Sequence, residues 1–369
     1  MRLDAGEGRL TCEEKVENVR FSVIVPVYNA GAFLHRCLQS LAASEFRDYE
    51  CIVVDDASTD DTRAVAERFR VRLLALDANG GPARARNRGA ECAQGEILVF
   101  IDSDVCVHPD TLSRFDVHFR TYESADAVIG SYDDTPADPG FVSQYKNLFH
   151  HYVHQRSRPE ANTFWAGCGA VRRQVFLQVG GFDESYRRPS IEDIELGYRL
   201  RANGHAIDLD PQIQVTHLKK WTFWGLVRTD LRDRGIPWFL LMLQHRTMPA
   251  DLNVTMAHRV SVALVFAIVV LCALVLSQQL LTMSIQMPSW RWVGGGLIGL
   301  VGLLVALNFD LYRFFTRQRG VVFAVCVVPL HWVYYAYCGV AVAIGLSAHL
   351  WGKVAAPRDT RRFPALPGN

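Results

Sequence analysis

Two hydrophobic periods share the first two hundred or so residues. Short apolar runs of strand type occur at Phe21–Val27 (FSVIVPV, rich in β-branched residues), Cys51–Val54 (CIVV), Val71–Leu76 and Glu96–Ile101 (EILVFI). Between them, apolar positions recur at helical spacing: Phe33, Leu34, Cys37, Leu38 and Leu41, then Thr62–Phe69, then Ala83–Ala93. Strand and helix in alternation predict a parallel α/β sheet. Further along, the pattern predicts a strand over Phe164–Val171, a helix over Arg172–Val179, a helix over Ser190–Asn203 and a strand over Ile207–His217. The stretch Ser131–Asn162 is irregular, aromatic and His-rich, and reads as a loop, with His150, His151 and His154 on the acceptor side of a site rather than in a zinc cluster.

After His217 the pattern changes. Lys219, Lys220, Trp221, Phe223, Trp224, Arg228, Arg232, Arg234, Trp238 and Phe239 mix cations with large aromatics, the signature of a helix lying in a membrane interface, kinked at Pro237. Three apolar segments then have nearly or fully the length of a bilayer span: Val260–Leu276, Trp292–Leu307 and Val321–Leu346. The loop Asn308–Gly320 carries Arg313, Arg317 and Arg319, whereas the loop between the first two spans carries only Arg291. Arginine bias predicts that the catalytic domain and the Arg-rich loop lie on the cytosolic side. Three crossings would put Lys353, Arg358, Arg361 and Arg362 outside, against that rule. The predicted organisation is a polar segment 1–20, an α/β domain 21–218, interfacial helices 219–258, a transmembrane region 259–350 and a polar tail 351–369.

Composition narrows the function classes. Half of the 369 residues are apolar and 21% are charged, with a formal net charge of +1, so no global field points to nucleic acid. The nine cysteines include no C-x-x-C pair, which predicts reduced thiols rather than a zinc site or a disulfide framework. The first twenty residues have no apolar core of signal-peptide length, so the soluble part is expected in the cytosol.

Candidate chemistry clusters at the carboxyl ends of the predicted strands, where open α/β sheets bind ligands. Asp102-Ser103-Asp104 follows EILVFI; two carboxylates two residues apart can share a hard cation, and a nucleoside diphosphate needs one. Asp55 and Asp56 follow the second strand and can accept from a base N–H or ribose hydroxyls, while Ser58 or Asp60 suits a helix cap. Asn79-Gly80-Gly81-Pro82 allows close backbone approach, and Arg84 and Arg86 add positive charge for a diphosphate or a base. Ser190-Ile191-Glu192-Asp193 reads either as a capping box or as the seat of a general base, Asp193 or Glu192. His217, ending the last strand, is either structural or a third ligand for a cation such as Mn²⁺.

Together, FSVIVPVYNAGAFLHRCLQSL, CIVVDDASTD, NGGPARARNRG, EILVFIDSDV, FWAGCGAVRRQVFLQVGGFDE and IEDIELGYRL resemble family 2 glycosyltransferases in order and spacing, over roughly Phe21 to Leu218. The resemblance implies a GT-A fold, with a Rossmann-like mixed sheet and a parallel core, and inverting transfer from a nucleotide-sugar donor. It implies a nucleotide role for Asp55, Asp56 and Arg86, a metal role for Asp102 and Asp104 with Mn²⁺ or Mg²⁺, and a base role for Asp193. It sets Pro26, Tyr28, Asn79, Gly81, Arg84 and Ser103 among donor contacts, puts Trp165 and Gly167 in the donor-sugar wall, and places His217 where related enzymes supply a further ligand. The Q-x-x-R-W element of the processive members is absent; the corresponding stretch reads RTDLRDRGIPW. The expected protein is a non-processive, multi-pass enzyme of the cell (inner) membrane. It would act at the cytosolic face in cell envelope glycan biosynthesis, moving sugar to a hydroxyl of a lipid or lipid-linked acceptor. The alternatives are a polyprenyl-phosphate glycosyltransferase, a processive polysaccharide synthase, a non-catalytic nucleotide-sugar binding protein and a nucleotidyltransferase.

Overall fold

The computed structural model describes residues 19–245, 254–281 and 290–352. The expected polar segment 1–20, apart from its last two residues, and the tail cations Lys353, Arg358, Arg361 and Arg362 lie outside the described residues, as does the side chain of Arg291. The chain divides into two compact units: residues up to Ser131 with Pro159–Leu218, and Tyr132–Arg158 with the residues from Lys219 onward. Residues 132–158 thus belong to the second unit, and Leu218 ends the first.

The first unit is built on the mixed α/β sheet expected of a GT-A domain. In chain order its elements are β1 (Phe21–Val27), α1 (Gly31–Ala42), β2 (Tyr49–Asp55), α2 (Thr62–Ala66), β3 (Arg72–Ala75), α3 (Pro82–Cys92), β4 (Ile97–Ile101), β5 (Val105–Val107), α4 (Thr111–Thr121) and β6 (Ala127–Tyr132). After α5, which belongs to the second unit, come β7 (Cys168–Arg172), α6 (Arg173–Gln178), α7 (Glu192–Ala202) and β8 (Ile207–His217). The strand order is β3-β2-β1-β4-β7-β6-β8-β5. The core β3-β2-β1-β4 is parallel, while β7 runs antiparallel to β4 and β6, and β5 antiparallel to β8. Residues of β1 and β4 are buried on both faces, which is why they read as unbroken apolar runs rather than alternating ones. Pro26 is tolerated in this central strand because the pairing of β1 with β4 ends at Ile24↔Phe100, so the missing N–H is not called on by that ladder.

Because the core strands are parallel, their carboxyl ends share one edge. Asp55 ends β2, and Asn29, Asn79 and Asp102 follow strands at that edge. β5 and β8 add His217: the register Val105↔His217 sets the end of β8 beside Asp104, whose carbonyl accepts the Leu218 N–H at 2.8 Å. The predicted strand Phe164–Val171 is shorter than expected and begins at Cys168; Phe164–Gly167 is a loop preceding it.

In the second unit, the expected loop Ser131–Asn162 contains the helix α5 (Phe141–Arg156). Its aromatics are spaced for burial: Tyr145, Leu148 and Phe149 enter an apolar cluster with Leu304, Leu311, Phe315, Val327 and Tyr334. The stretch after Lys219 forms α8 (Phe223–Arg228), a π-helical segment Thr229–Gly235 and α9 (Ile236–His245). Pro237 has no N–H to give to the carbonyl four residues back, and the wider π register directly before it accommodates that loss in place of a simple kink.

Among the described residues, two later helices are long and apolar enough to cross a membrane: α10 (Met256–Leu281), over Met256–Ser277, and α13 (Val321–Leu350). A third crossing requires α11 (Trp290–Leu307) and α12 (Phe309–Arg319) to act as one span, but these meet at a bend of 62°. The expected Arg-rich loop Asn308–Gly320 is therefore a helix, with Leu311, Tyr312 and Phe315 buried on one face and Arg313 and Arg317 exposed on another. Asn308 occupies the break. Its side-chain amide donates to Ser261 Oγ (3.2 Å) and to the Leu304 carbonyl (2.9 Å), while its oxygen accepts from Tyr335 (2.6 Å). The Leu304 carbonyl, left without its helical donor at the bend, thus has a partner.

Candidate functional site

The centre of the site is a buried guanidinium. Arg86 projects from α3, which starts on Gly81-Pro82 with proline in its first turn, where a missing N–H costs nothing. One nitrogen of Arg86 donates to Asp102 Oδ1 at 2.7 Å and another to Glu192 Oε1 at 3.0 Å, and the guanidinium lies 5.4 Å from the Phe182 ring centroid. Burial opposes the charge on Arg86, but Asp102, Glu192 and Asp193 outweigh it and raise its pKa. Burial also raises the pKa of Asp102, against the lowering effect of Arg86.

The two acids of α7 have different surroundings. Glu192 is buried and both of its oxygens are engaged, Oε1 by Arg86 and Oε2 by the Ser190 N–H (2.8 Å). Asp193 is partly exposed; its Oδ2 accepts from the Ala166 N–H (3.2 Å) and its Oδ1 from the Ile194 N–H (2.8 Å). Ile191 stands at the N-cap of α7, and its side chain makes no capping hydrogen bond. The loop Phe164–Gly167 runs between Asp193 and Asp102, since the Asp102 N–H donates to the Gly167 carbonyl at 3.4 Å. Trp165 folds back on Gly167, where an added Cβ would fall 2.8 Å from the indole. Trp165, Gly167, Asp102 and Asp193 are thus neighbours in space although up to 91 residues separate them in sequence.

At the turn after β4, Asp102, Ser103 and Asp104 are each half-buried. His217 Nε2 lies 3.5 Å from Asp104 Oδ2. Two carboxylates and an imidazole form a donor set that suits a divalent cation of the Mn²⁺ type. Among the described residues, no group of three or more His, Cys, Asp or Glu side chains converges closely enough to hold a metal, and Arg86 takes one oxygen of Asp102.

Asp56 organises the glycine turn. Its two oxygens accept from the Gly80 N–H (2.9 Å) and the Gly81 N–H (2.8 Å), and Asn79 donates to its carbonyl (3.2 Å). Burial raises the Asp56 pKa against these hydrogen bonds. Gly81 has φ +90°, and a Cβ there would fall 2.5 Å from the Arg187 carbonyl oxygen, so both conformation and space require glycine. Asp55 is fully buried and turned inward, bonded to the Ser58 N–H (2.9 Å) and to Arg63. Asn29, at φ 48°, receives the Thr59 N–H at 2.7 Å, which ties the ends of β1 and β2 together.

The structure therefore joins Arg86, Asp102 and Glu192 directly, sets Asp193 of α7 against the loop that ends at Gly167, and pairs Asp104 with His217. Tyr28 stands half-exposed at the edge, Pro26 is buried within β1, and Arg84 turns back onto the Ala78 carbonyl (3.2 Å). Asn87, which the sequence marks beside Arg84 and Arg86 without giving it a role, donates to the Phe182 carbonyl (2.9 Å) and Glu184 (3.0 Å) and accepts the Phe182 N–H (2.9 Å). This clamp holds the Phe182 ring under Arg86; the signal for it was the GGFDE turn that follows α6. His151 belongs to the second unit, where its Nδ1 meets the Tyr132 carbonyl at 2.8 Å, and not to an acceptor-side loop. Cys92, ending α3, is disulfide-bonded, so the expectation of reduced thiols fails at that position.

Known proteins bear on this arrangement. Residues 22–180 match the family model described as "Glycosyl transferase family 2". The glycosyltransferase GlyG of Streptococcus pneumoniae is 35% identical over 116 residues, 30% of this chain and 38% of its own. Validoxylamine A glucosyltransferase of Streptomyces hygroscopicus is 31% identical over 217 residues, 50% of this chain and 51% of its own. The chain thus spans about half or less of the length of these relatives. Among solved structures, residues 1–349 of Staphylococcus aureus TarS with UDP-GlcNAc align over 90% of this chain and 92% of that one, at 18% identity and a TM-score of 0.49. The likeness to glycosyl transferase family 2 thus extends over residues 22–180, less than half of the chain.

Proposed function

We propose that this protein is a membrane-bound, inverting glycosyltransferase that moves a sugar from a nucleotide-sugar donor to a hydroxyl of a lipid or lipid-linked saccharide. The observation that carries the reading is the Arg86 bridge between Asp102 and Glu192, set beside the half-exposed Asp193. The bridge orders the acids at the edge of the sheet but leaves no spare positive charge there, so the charge that offsets a donor diphosphate would come from a divalent cation. Asp193 is the group able to take a proton. In the transfer, the acceptor oxygen forms a bond to the anomeric carbon, its proton passes to Asp193, and the bond pair to the donor oxygen leaves with the diphosphate. Glu192, with both oxygens occupied, holds Arg86 in place rather than acting as base.

Asp102, Asp104 and His217 are the residues that would hold a divalent cation, whose charge would offset that of the leaving diphosphate. Trp165 and Gly167 would wall the donor sugar, and Asp56 would shape the Asn79–Gly81 turn against the nucleotide. The helices α10 and α13 would anchor the protein in the membrane, with the catalytic domain on the cytosolic side.

The test is transfer by detergent-purified protein from a panel of nucleotide sugars to membrane lipid extracts. The expected product is a glycosylated lipid plus nucleoside diphosphate. Activity should vanish in excess chelator, return with Mn²⁺ or Mg²⁺, and be lost in Asp104→Ala. Pyrophosphate release would replace this reading with nucleotidyl transfer, and full turnover in chelator would remove the cation.

A further inference from the structure

α5 and α12, both within the second unit, enclose a groove of about 290 Å³ whose walls include Tyr152, Arg156, Asp310, Arg313, Phe314 and Arg317. Three arginines face one carboxylate there. Asp310 engages Arg156 at 3.0 Å, and that guanidinium also lies 5.2 Å from the Tyr152 ring centroid. Arg313 and Arg317 stand one helical turn apart on the exposed face of α12 and make no hydrogen bond or ion pair among the described residues. Like charges at this spacing repel and weaken a helix. The Tyr152 and Phe314 rings, 5.2 Å apart, supply an apolar side to the same groove.

The position of α12 fixes the depth. It follows the 62° break after the apolar α11, and Gly320, at φ +86°, turns its end directly into the 30-residue apolar α13. Its inner face is buried while its outer face carries arginine. On the reading of α10 and α13 as membrane spans, the groove opens at the level of the lipid headgroups.

We infer that this groove binds a phosphate-bearing lipid headgroup, with preference for a phosphomonoester carrying two negative charges. Guanidinium forks match phosphate oxygens in pairs, and the two arginine charges not met by Asp310 correspond to a dianion. The volume lies below that of most small-molecule pockets, enough for a phosphate and its glycerol but not for a nucleotide sugar. The aromatic side receives the ester and upper acyl carbons. The groove lies within the second unit, and the inference rests on the membrane reading alone.

The experiment titrates short-chain phosphatidic acid, phosphatidylglycerol, phosphatidylcholine and inorganic phosphate into the full chain in neutral detergent, following thermal unfolding. Phosphatidic acid should raise the midpoint at the lowest concentration, phosphatidylglycerol at a higher one, and phosphatidylcholine not at all. The double variant Arg313→Gln, Arg317→Gln should weaken phosphatidic acid roughly 10- to 30-fold, as expected from about a tenfold effect or less per basic residue. Because both side chains are exposed, the variant should unfold near the wild-type temperature without lipid. Arg232→Gln, elsewhere on the second unit, should leave the titration unchanged. Equal phosphatidic acid affinity in the double variant, or equal loss in Arg232→Gln, overturns the inference. Inorganic phosphate acting as well as phosphatidic acid replaces the lipid with a soluble anion. Recovery of the full chain without detergent refutes the membrane reading and this inference with it, whatever becomes of the donor site.

Discussion

Asp193→Asn separates the proposed base from a structural acid at the same helix start. The wild-type carboxylate accepts two backbone hydrogen bonds, from Ala166 (3.2 Å) and Ile194 (2.8 Å). An asparagine keeps one acceptor oxygen, so one of those N–H groups loses its partner, and stability should fall by about 1–2 kcal/mol. Folding should survive that loss. The proton-accepting capacity is removed entirely, and loss of a positioned base typically slows transfer ~10²–10⁴-fold, or about 3–5 kcal/mol in the barrier. The Arg86 bridge is untouched, because Glu192 and not Asp193 makes that hydrogen bond, so donor affinity should hold within about twofold. Turnover measured at saturating donor, with donor affinity measured separately by calorimetry, tests both halves. Transfer within tenfold of wild type would reduce Asp193 to a support for the Trp165 loop. It would also favour an anionic phosphate acceptor, which needs no base. A matched loss of donor affinity would mean that the loop, not the proton, was disturbed.

Three other outcomes are expected. Arg86→Leu leaves Asp102 and Glu192 without their shared cation and should cost about 3 kcal/mol, a fall of roughly 6–12 °C in the unfolding midpoint; an unchanged midpoint would refute the bridge as a structural element. Gly81→Ala forces a side chain into φ +90° and against the Arg187 carbonyl, so stability should fall by about 2 kcal/mol or more, and donor binding with it; a neutral effect in a melt would show that the turn relaxes freely. His118, in α4, is flanked by Asp208 (3.0 Å) and Asp210 (3.1 Å) of β8; burial lowers its pKa, but these carboxylates outweigh that and raise it to about 9. A raised folded-state value means that the stabilisation is complete below the unfolded pKa of 6.5 and fades as pH rises through about 9. After discounting for the solvated carboxylates it amounts to about 1–2 kcal/mol, so His118→Gln should flatten the pH dependence of unfolding between those limits, and an unaltered profile would refute the charged pair.

Sequence alone determined the parallel core. β1, β2, β3 and β4 are short apolar runs, β-branched in all but β3, separated by helical periods, and a chain so patterned buries its strands with helices on both faces. It also placed Asn29, Asp55, Asn79 and Asp102 at one edge, since strands that run parallel end together. It marked β8 through His217 and the helix carrying Glu192 and Asp193. Tertiary structure decided what periodicity cannot express. The aromatic, His-rich stretch became α5 because Tyr145 and Phe149 found partners in Phe315 and Tyr334, far along the chain. The arginines after Asn308 became helical because Leu311, Tyr312 and Phe315 had a core to enter, whereas a local reading weighed the charges and saw a loop. The roles of adjacent acids were settled only in space: Glu192 and Asp193 are equivalent as letters, but a one-residue step around a helix turns one toward buried Arg86 and the other toward the Ala166 N–H. Long-range pairing of this kind leaves no mark on hydrophobic pattern, because hydrogen bonds and ion pairs depend on which surfaces meet and not on the local spacing that sets each element.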